Sequence, residues 1–372
     1  IEYCGQSTIM VRCSSLLEDG FGNAFAGKYE SLFLVKQGPP EERFLAFIDA
    51  VRKIYASTMN EDALTYRMQR GLDKLDEQMA LLVQRVSGSY YTSYYFPFMA
   101  GVGLSRNTYV WNEQIDPMAG MLRLVFGLGT RAVNRTEGDY PRIIALDHPL
   151  LKVQAGIEDA RKFSQRYADV LNIAGNLLES KEIQDLCDED IGVDLSSIGR
   201  RDIDAEERLG RPGERWIVDF DEFLSSSFPG DMSLLLKTLE RAYEYPVDIE
   251  FTVNISMEGK YRINLVQCRP QQAKFSGEHI VIPEQIGDDY IYFRQKGNFL
   301  GGSVVQSVKR IIYVDPRGYA GLPQSQKHEI ARIVGKLNRM IKDREEIPCM
   351  LLGPGRWGTT TPSLGIPVRF SE

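Results

Sequence analysis

Long apolar runs are missing from this sequence of 372 residues: none approaches the roughly 20 residues that a membrane-crossing helix requires. No basic-then-apolar leader is read at its start, so no membrane partner is expected. Cysteine is scarce and scattered. Cys4, Cys13, Cys187, Cys268 and Cys349 stand singly, with no CxxC pair and no partnered histidine, which suits reduced cytoplasmic thiols better than a disulfide framework or a zinc site. Positive charge is in deficit, with 44 Lys and Arg against 51 Asp and Glu and a net charge of −7. A sequence-independent nucleic-acid surface is therefore not expected, although a local basic pocket could hold a small polyanion. Histidine occurs only three times, as His148, His279 and His328. None lies in a loop of small residues that would present an imidazole, and all three read as structural or surface groups. The serine-nucleophile elbow and the Walker phosphate loop are absent as well, which removes the commonest hydrolase and P-loop readings.

What is present is an ordinary globular composition, 43% hydrophobic and 26% charged, on a chain long enough for two or three packed units. The alternating segment from Thr8 to Cys13 reads as a strand that enters a loop rich in glycine and serine. Helical spacing from Glu41 to Ser57 places Phe44, Phe47, Ile48, Val51 and Tyr55 on one expected buried face. Strands are expected from Met79 to Val86, within Tyr90 to Phe98 and Gly101 to Trp111, and from Met121 to Phe126. Leu151 to Glu179 reads as helical, and the acidic, poorly periodic stretch from Asp185 to Arg215 reads as an insertion or linker. A helix is expected from Asp231 to Tyr243. After Gln272 the composition resets. Tyr290 to Phe293, Arg310 to Val314 and Cys349 to Leu352 read as strands, and Ser325 to Lys342 reads as an amphipathic helix, an order that suggests a small α/β unit. The expected division is residues 1–275 and 276–372, in a piece of a longer protein.

The most informative stretch lies at the end of the first of these parts. Val247 to Asn254 and Ile263 to Arg269 both alternate, and Glu258-Gly259 between them is a turn signal. If those two residues form the turn, Glu250 faces Gln267 and Asp248 faces Arg269, all four on one side of the hairpin. Two carboxylates, an amide oxygen and a guanidinium on one surface suit a hard cation together with phosphate oxygens. The same pattern is also what a wet hairpin face with an ordinary cross-strand ion pair would show. Arg12 makes a second candidate. It ends the first strand beside Ser14 and Ser15, and Gly20, Gly22 and Gly27 follow, so that backbone N–H groups could approach an anion; a plain connection is the alternative. Gly127-Leu-Gly129 reads mainly as a turn, and the loop from Leu352 to Gly358, with Arg356 and Trp357, mainly as a packed turn.

Taken together, these segments resemble the ATP-grasp nucleotide-binding domain of the phosphoenolpyruvate synthase and pyruvate phosphate dikinase family. The resemblance rests on Val11-Arg-Cys-Ser-Ser15 with Glu18-Asp19, Phe25-Ala-Gly27 with Glu30, Leu82-Val-Gln84, Gly127-Leu-Gly129, Asp248-Ile-Glu250 and Leu265-Val-Gln-Cys-Arg-Pro270, over roughly residues 8 to 272. It implies an α+β fold, an ATP-grasp module of two lobes followed by the small α/β unit. It further implies that Arg12 and Arg269 contact ATP phosphates and act in catalysis, that Glu250 and Gln267 hold Mg²⁺ with the nucleotide, and that Gln84, Arg85 and Val86 border the adenine, with Asp248 part of the same site. Transfer to a histidine on a separate swivelling domain, and then to pyruvate or another acceptor, would be the activity of the intact protein, and neither the swivelling domain nor the acceptor-binding domain is found in this sequence. The family usually carries Ser where Cys13 stands and Glu where Thr130 stands. A nucleotide sensor or scaffold that binds ATP without transferring phosphate is the competing reading.

Overall fold

Alternation builds the first layer. In the computed structural model, Ile9 and Val11 are buried on one face of β1 (Ile9–Ser15), which leaves Met10 and Arg12 to the other. Strand β1 is the middle of a three-stranded antiparallel sheet, with β2 (Ser31–Leu34) on one side and β3 (Met79–Arg85) on the other. The structure describes residues 5–15, 17, 29–35, 38–69, 71–112, 114–133, 139–153, 156–189, 191–204, 215–256, 258–271, 286–294, 305–341, 346–359, 362 and 365–369. The glycine loop expected after Arg12, with Glu18, Asp19, Gly20, Gly22, Phe25 and Gly27, lies outside these residues, as does His279.

Helix α1 (Pro40–Ser57) follows β2, turned from the expected orientation. Its buried residues are Ala50, Ile54 and Ser57, while Phe44 and Tyr55 are each about half exposed, at 47% and 48%. Small residues let the backbone come close here: the Ser57 hydroxyl donates to the Ile54 carbonyl and accepts from the Glu30 N–H at 3.0 Å. Next in the chain is α2 (Glu61–Gln69), which belongs to the second unit described below. After β3, a hairpin forms from β4 (Ser89–Tyr91) and β5 (Tyr94–Phe96), with Thr92 at φ 52° in its turn.

A five-stranded antiparallel sheet forms the second layer. In chain order its members are β6 (Met99–Leu104), β7 (Met121–Phe126), β8 (Arg142–Ala145), β13 (Val247–Ile255) and β14 (Tyr261–Pro270), arranged β14-β13-β6-β7-β8. Between β7 and β8 lies the short α3 (Thr130–Val133). One face of the sheet carries Met99, Leu122, Leu124, Ile249, Phe251 and Val253 into the main core. The other carries Ala100, Val102, Leu104, Met121 and Val125, packed with Ala132 of α3.

The expected helix from Leu151 to Glu179 is mostly not helix. Only α4 (Ile157–Phe163) forms, and it is followed by a hairpin of β9 (Tyr167–Asn172) and β10 (Leu177–Glu182) that joins β5 and β4 in a four-stranded sheet. Buried Ala168, Val170 and Leu171 sit in β9, and Asn176 turns at φ 55° just after Gly175, so turn chemistry outweighs the helical spacing. The expected linker contains most of α5 (Ile183–Asp188) and β11 (Gly199–Arg201), which pairs with β12 (Trp216–Val218). Then come α6 (Asp221–Leu224) and α7 (Phe228–Tyr243), whose Phe228, Met232 and Leu236, at helical spacing, are buried in the main core.

Two compact units result: the first is Ile1–Ser57, Glu77–Phe275 and Pro283–Gly302, and the second Thr58–Asp76, Ser276–Ile282 and Ser303–Glu372. This differs from the expected division into 1–275 and 276–372, since Pro283–Gly302 returns to the first unit and Thr58–Asp76 belongs to the second. No break in composition marks 58–76 as part of the second unit. In that unit β15 (Arg310–Tyr313) runs parallel to β16 (Cys349–Leu352), with α8 (Pro316–Ala320) and α9 (Gln324–Met340) between them in sequence, so the expected strand-helix-strand order holds. The short β17 (Arg356–Trp357) pairs with β18 (Gly365–Ile366), and Val314, Tyr319, Ala331, Val334 and Ile366 form this unit's core. In the first unit, Tyr290 to Phe293 is not a strand: a short 3-10 turn spans Asp288–Tyr290, and Tyr292 is 98% exposed, with no strand among the described residues paired to it. Among the described residues no helix is long and apolar enough to cross a membrane.

Candidate functional site

The face of the three-stranded sheet opposite Ile9 and Val11 carries Met10 and Arg12 from β1, Phe33 from β2 and Gln84 from β3, the last two both opposite Met10 in register. The five-stranded sheet contributes Glu250 and Thr252 from β13 and Asn264 and Gln267 from β14. All of these side chains border one cavity of about 510 Å³ inside the first unit, a size suited to a small ligand. Arg85, Val86, Glu30 and Arg269 border it as well, and Gly129 and Thr130 close one side. Of the residues expected from the sequence, the structure therefore brings seven to this wall: Arg12, Gln84, Arg85, Val86, Glu250, Gln267 and Arg269. Asp248 does not line it.

Glu250 and Gln267 are opposite one another, as are Asp248 and Arg269, yet the turn is not the one expected. Ser256 and Lys260 close the loop, the Ser256 N–H donating to the Lys260 carbonyl, so that three residues lie between them rather than two. Gly259, at φ 75°, takes the left-handed position that such a loop needs. This shifts the pairing by one residue as far as Phe251 opposite Leu265. A bulge between Glu250 and Phe251 then absorbs Val266 and restores the expected partners at the site. The bulge has a second effect: Asn264 and Gln267, three residues apart, both reach the cavity. It is also tied down, because the Gln84 amide donates to the Val266 carbonyl at 3.2 Å, while Gln84 Oε1 is left buried without a hydrogen-bond partner.

Charges meet across the two sheets. Arg12 Nη1 donates to Glu250 Oε2 at 3.1 Å, and its Nη2 donates to Gln267 Oε1. Arg269 Nε donates to Asp248 Oδ2 at 3.2 Å, and its Nη2 stands 3.7 Å from Glu250 Oε1. Both carboxylate oxygens of Glu250 thus face a guanidinium. Asp248 lies behind Arg269, where burial pushes its carboxyl above the ordinary range; the charge and hydrogen bond of Arg269 pull it back, and the charge of Glu250 adds to the rise. Its Oδ1 is buried with no hydrogen bond. Between these polar positions Cys268 turns to the main core, and burial raises its thiol, with the Asp248 charge adding.

Sequence reasoning missed a polar group farther along the cavity. Asn254 and Asn264 both donate from Nδ2 to Ser87 Oγ, at 2.7 and 3.0 Å, and Asn264 is opposite Thr252. The signal was present as two adjacent apolar residues, Leu265-Val266, which break the alternation of β14 where the bulge sits. Thr130, standing where a Glu was expected, donates from its hydroxyl to Asp169. Gly127 holds φ 85° against the Asp169 carbonyl, which a Cβ would meet at 2.9 Å, so this loop is a tight turn at the cavity edge. His148 is paired with Asp147 and is not among the cavity residues, and His328 lies on α9 of the second unit.

The family described as pyruvate phosphate dikinase, AMP/ATP-binding domain, matches residues 2–287. A rifampicin phosphotransferase of Streptomyces sviceus is 28% identical over 222 residues, a stretch that covers 57% of this chain and 22% of that protein.

Proposed function

Because the chain belongs to the pyruvate phosphate dikinase AMP/ATP-binding domain family, we propose that the cavity of the first unit holds ATP with Mg²⁺ and delivers a phosphoryl group to a histidine on a separate swivelling domain. The observation that carries this reading is the convergence of Arg12, Glu250, Gln267 and Arg269 from two sheets on one cavity wall. The family is one of ATP-dependent phosphotransferases, and the chain spans about a fifth of the curated relative it matches, so the acceptor is assigned to parts of a longer protein. In this reading the scattered single cysteines of the sequence suit a cytoplasmic location.

Each side chain has a task in this reading. Arg12 and Arg269 fork onto phosphate oxygens and hold them in line, since phosphoryl transfer is mostly positioning and charge neutralisation. Gln84 to Val86 run along the base. Glu250 and Gln267 fit a hard cation: both offer oxygen, and they are opposite in register. With two protein oxygens, such an ion would take its remaining ligands from water and phosphates. Bound there, the ion would spread the charge that builds on the transferred group.

Thermal unfolding tests the reading. Mg·ATP should raise the Tm of the chain, because a ligand that binds only the folded state stabilises it by mass action. Glu250→Gln and Arg269→Met should lose the shift while keeping the far-UV spectrum. An equal shift in both variants would place the nucleotide elsewhere.

A further inference from the structure

Arg12 and a divalent cation compete for the same two oxygens. Its guanidinium donates to Glu250 Oε2 and to Gln267 Oε1, the pair opposite one another in the hairpin, and these are the donors that the proposed function gives to Mg²⁺. An ion bound to both would stand where that guanidinium stands. The backbone of Arg12 is held in place. Its strand β1 is paired on both sides, at Ser31 and at Leu82, and its side chain is only 11% exposed.

The remaining charges do not favour a lone cation either. Arg269 also faces Glu250, and the second carboxylate of the group, Asp248, is engaged by Arg269 and lies off the cavity wall. A divalent ion would therefore enter beside two guanidinium groups with one carboxylate to hold it. A polyphosphate changes this balance. It offers Arg12 another bidentate anion and at the same time brings oxygens that complete the ion's shell. We propose that Arg12 excludes a lone divalent cation from Glu250 and Gln267, and releases those oxygens when phosphate takes its guanidinium, so that cation and nucleotide enter together. This rests on the nucleotide site proposed above. Such coupling is reciprocal: the nucleotide tightens the cation by the factor by which the cation tightens the nucleotide.

The test measures Mn²⁺ binding by electron paramagnetic resonance of the free ion, on the whole chain, with and without a non-hydrolysable ATP analogue. Without nucleotide, Arg12→Gln should bind Mn²⁺ about tenfold more tightly than the wild type, within the usual span of coupling between sites. Adding Glu250→Gln to that variant should cancel the gain, which ties the ion to Glu250. Arg12→Lys keeps the charge but reaches one oxygen at a time; it should give a smaller gain, and it decides the matter if Arg12→Gln does not fold. The analogue should tighten Mn²⁺ strongly in the wild type and less in Arg12→Gln. Variants that bind Mn²⁺ no more tightly than the wild type, or a wild type that binds it equally with and without the analogue, would overturn the competition. The Tm response of the wild type to Mg·ATP separates the two levels. If it is present, such a failure removes only the role given to Arg12; if it is missing, the nucleotide site falls as well.

Discussion

Asp248 must carry its charge where charge is disfavoured, and that makes it the residue with the clearest pH signature. Its carboxyl is raised above the ordinary 3.8 by burial, against the pull of Arg269. In the window between the ordinary value and the raised one, the folded chain holds a proton that the unfolded chain has released. Stability therefore falls as pH rises through that window, is level above it, and carries no such cost below both values. Asp248→Asn has no proton to release. Its Tm relative to the wild type should climb as the buffer is moved from about pH 4 toward neutrality, because the wild type alone loses stability there. The constant offset between the two proteins reports the lost pairing with Arg269, and the slope isolates the proton. A Tm difference that is flat or falls with rising pH would show that Asp248 is not held high in the folded chain. At this scale the sequence was readable where residue type and spacing both spoke, as for Arg12, Glu250, Gln267 and Arg269. Ser87, Asn254 and Asn264 escaped because small polar residues on strands are mostly just solvated, and only the bulge brings Asn264 round to the cavity.

Helix α7 ties the five-stranded sheet to the main core by one face. Leu236 is buried there at 2% exposure, and Leu234, two residues earlier on the same helix, is 67% exposed. Leu236→Ala should cost about 2–5 kcal/mol through lost burial and a residual cavity. Leu234→Ala should change stability by no more than about 0.5 kcal/mol. Urea unfolding followed by tryptophan fluorescence would compare them, and equal losses would mean that the helix is seated on another face. This helix and β1, β7, β13 and β14 were legible because period and length agreed with burial. The hairpin was legible for a partly wrong reason. Its loop is one residue longer than Glu258-Gly259 suggested, and the bulge at Val266 offsets that residue before the strand reaches Gln267. In α1 the helix was right and the face wrong, because large apolar side chains were favoured over Ala50 and Ser57, whose smallness permits close packing. The span from Leu151 to Glu179 failed for the opposite reason: alternation over only six residues in β9 was read as part of a helical period, and Gly175-Asn176 was not weighed as a turn.

The two-unit organisation follows contacts that no local pattern records. The reset in composition after Gln272 marks one boundary, yet residues 58–76 join the second unit although they stand between α1 and β3 of the first. Their membership depends on tertiary contacts with chain more than 200 residues away, which neither propensity nor periodicity can reveal. Within α2, Ala63 is fully buried and Tyr66 nearly so. A chain ending at residue 275 keeps that apolar surface and lacks residues 303–372 of its unit, together with 283–302 of the first. It should therefore bind more of a hydrophobic dye such as ANS, and melt at a lower temperature, than the whole chain. The remedy is set by the ends of the excursion. The Tyr55 hydroxyl, near the end of α1, donates to the Met79 carbonyl at the start of β3 at 3.4 Å, so the two elements are already side by side. Replacing residues 58–76 by a short Gly/Ser linker in the chain ending at 275 should remove the excess dye binding, since a flexible linker closes a short gap at little entropic cost. The shortened protein should also keep the cavity, and with it the thermal response to Mg·ATP, because none of the described residues lining that cavity lies in 58–76 or beyond 275. If instead the chain ending at 275 binds no extra dye and the linker version fails to fold, residues 58–76 belong with the first unit and hold its strands together.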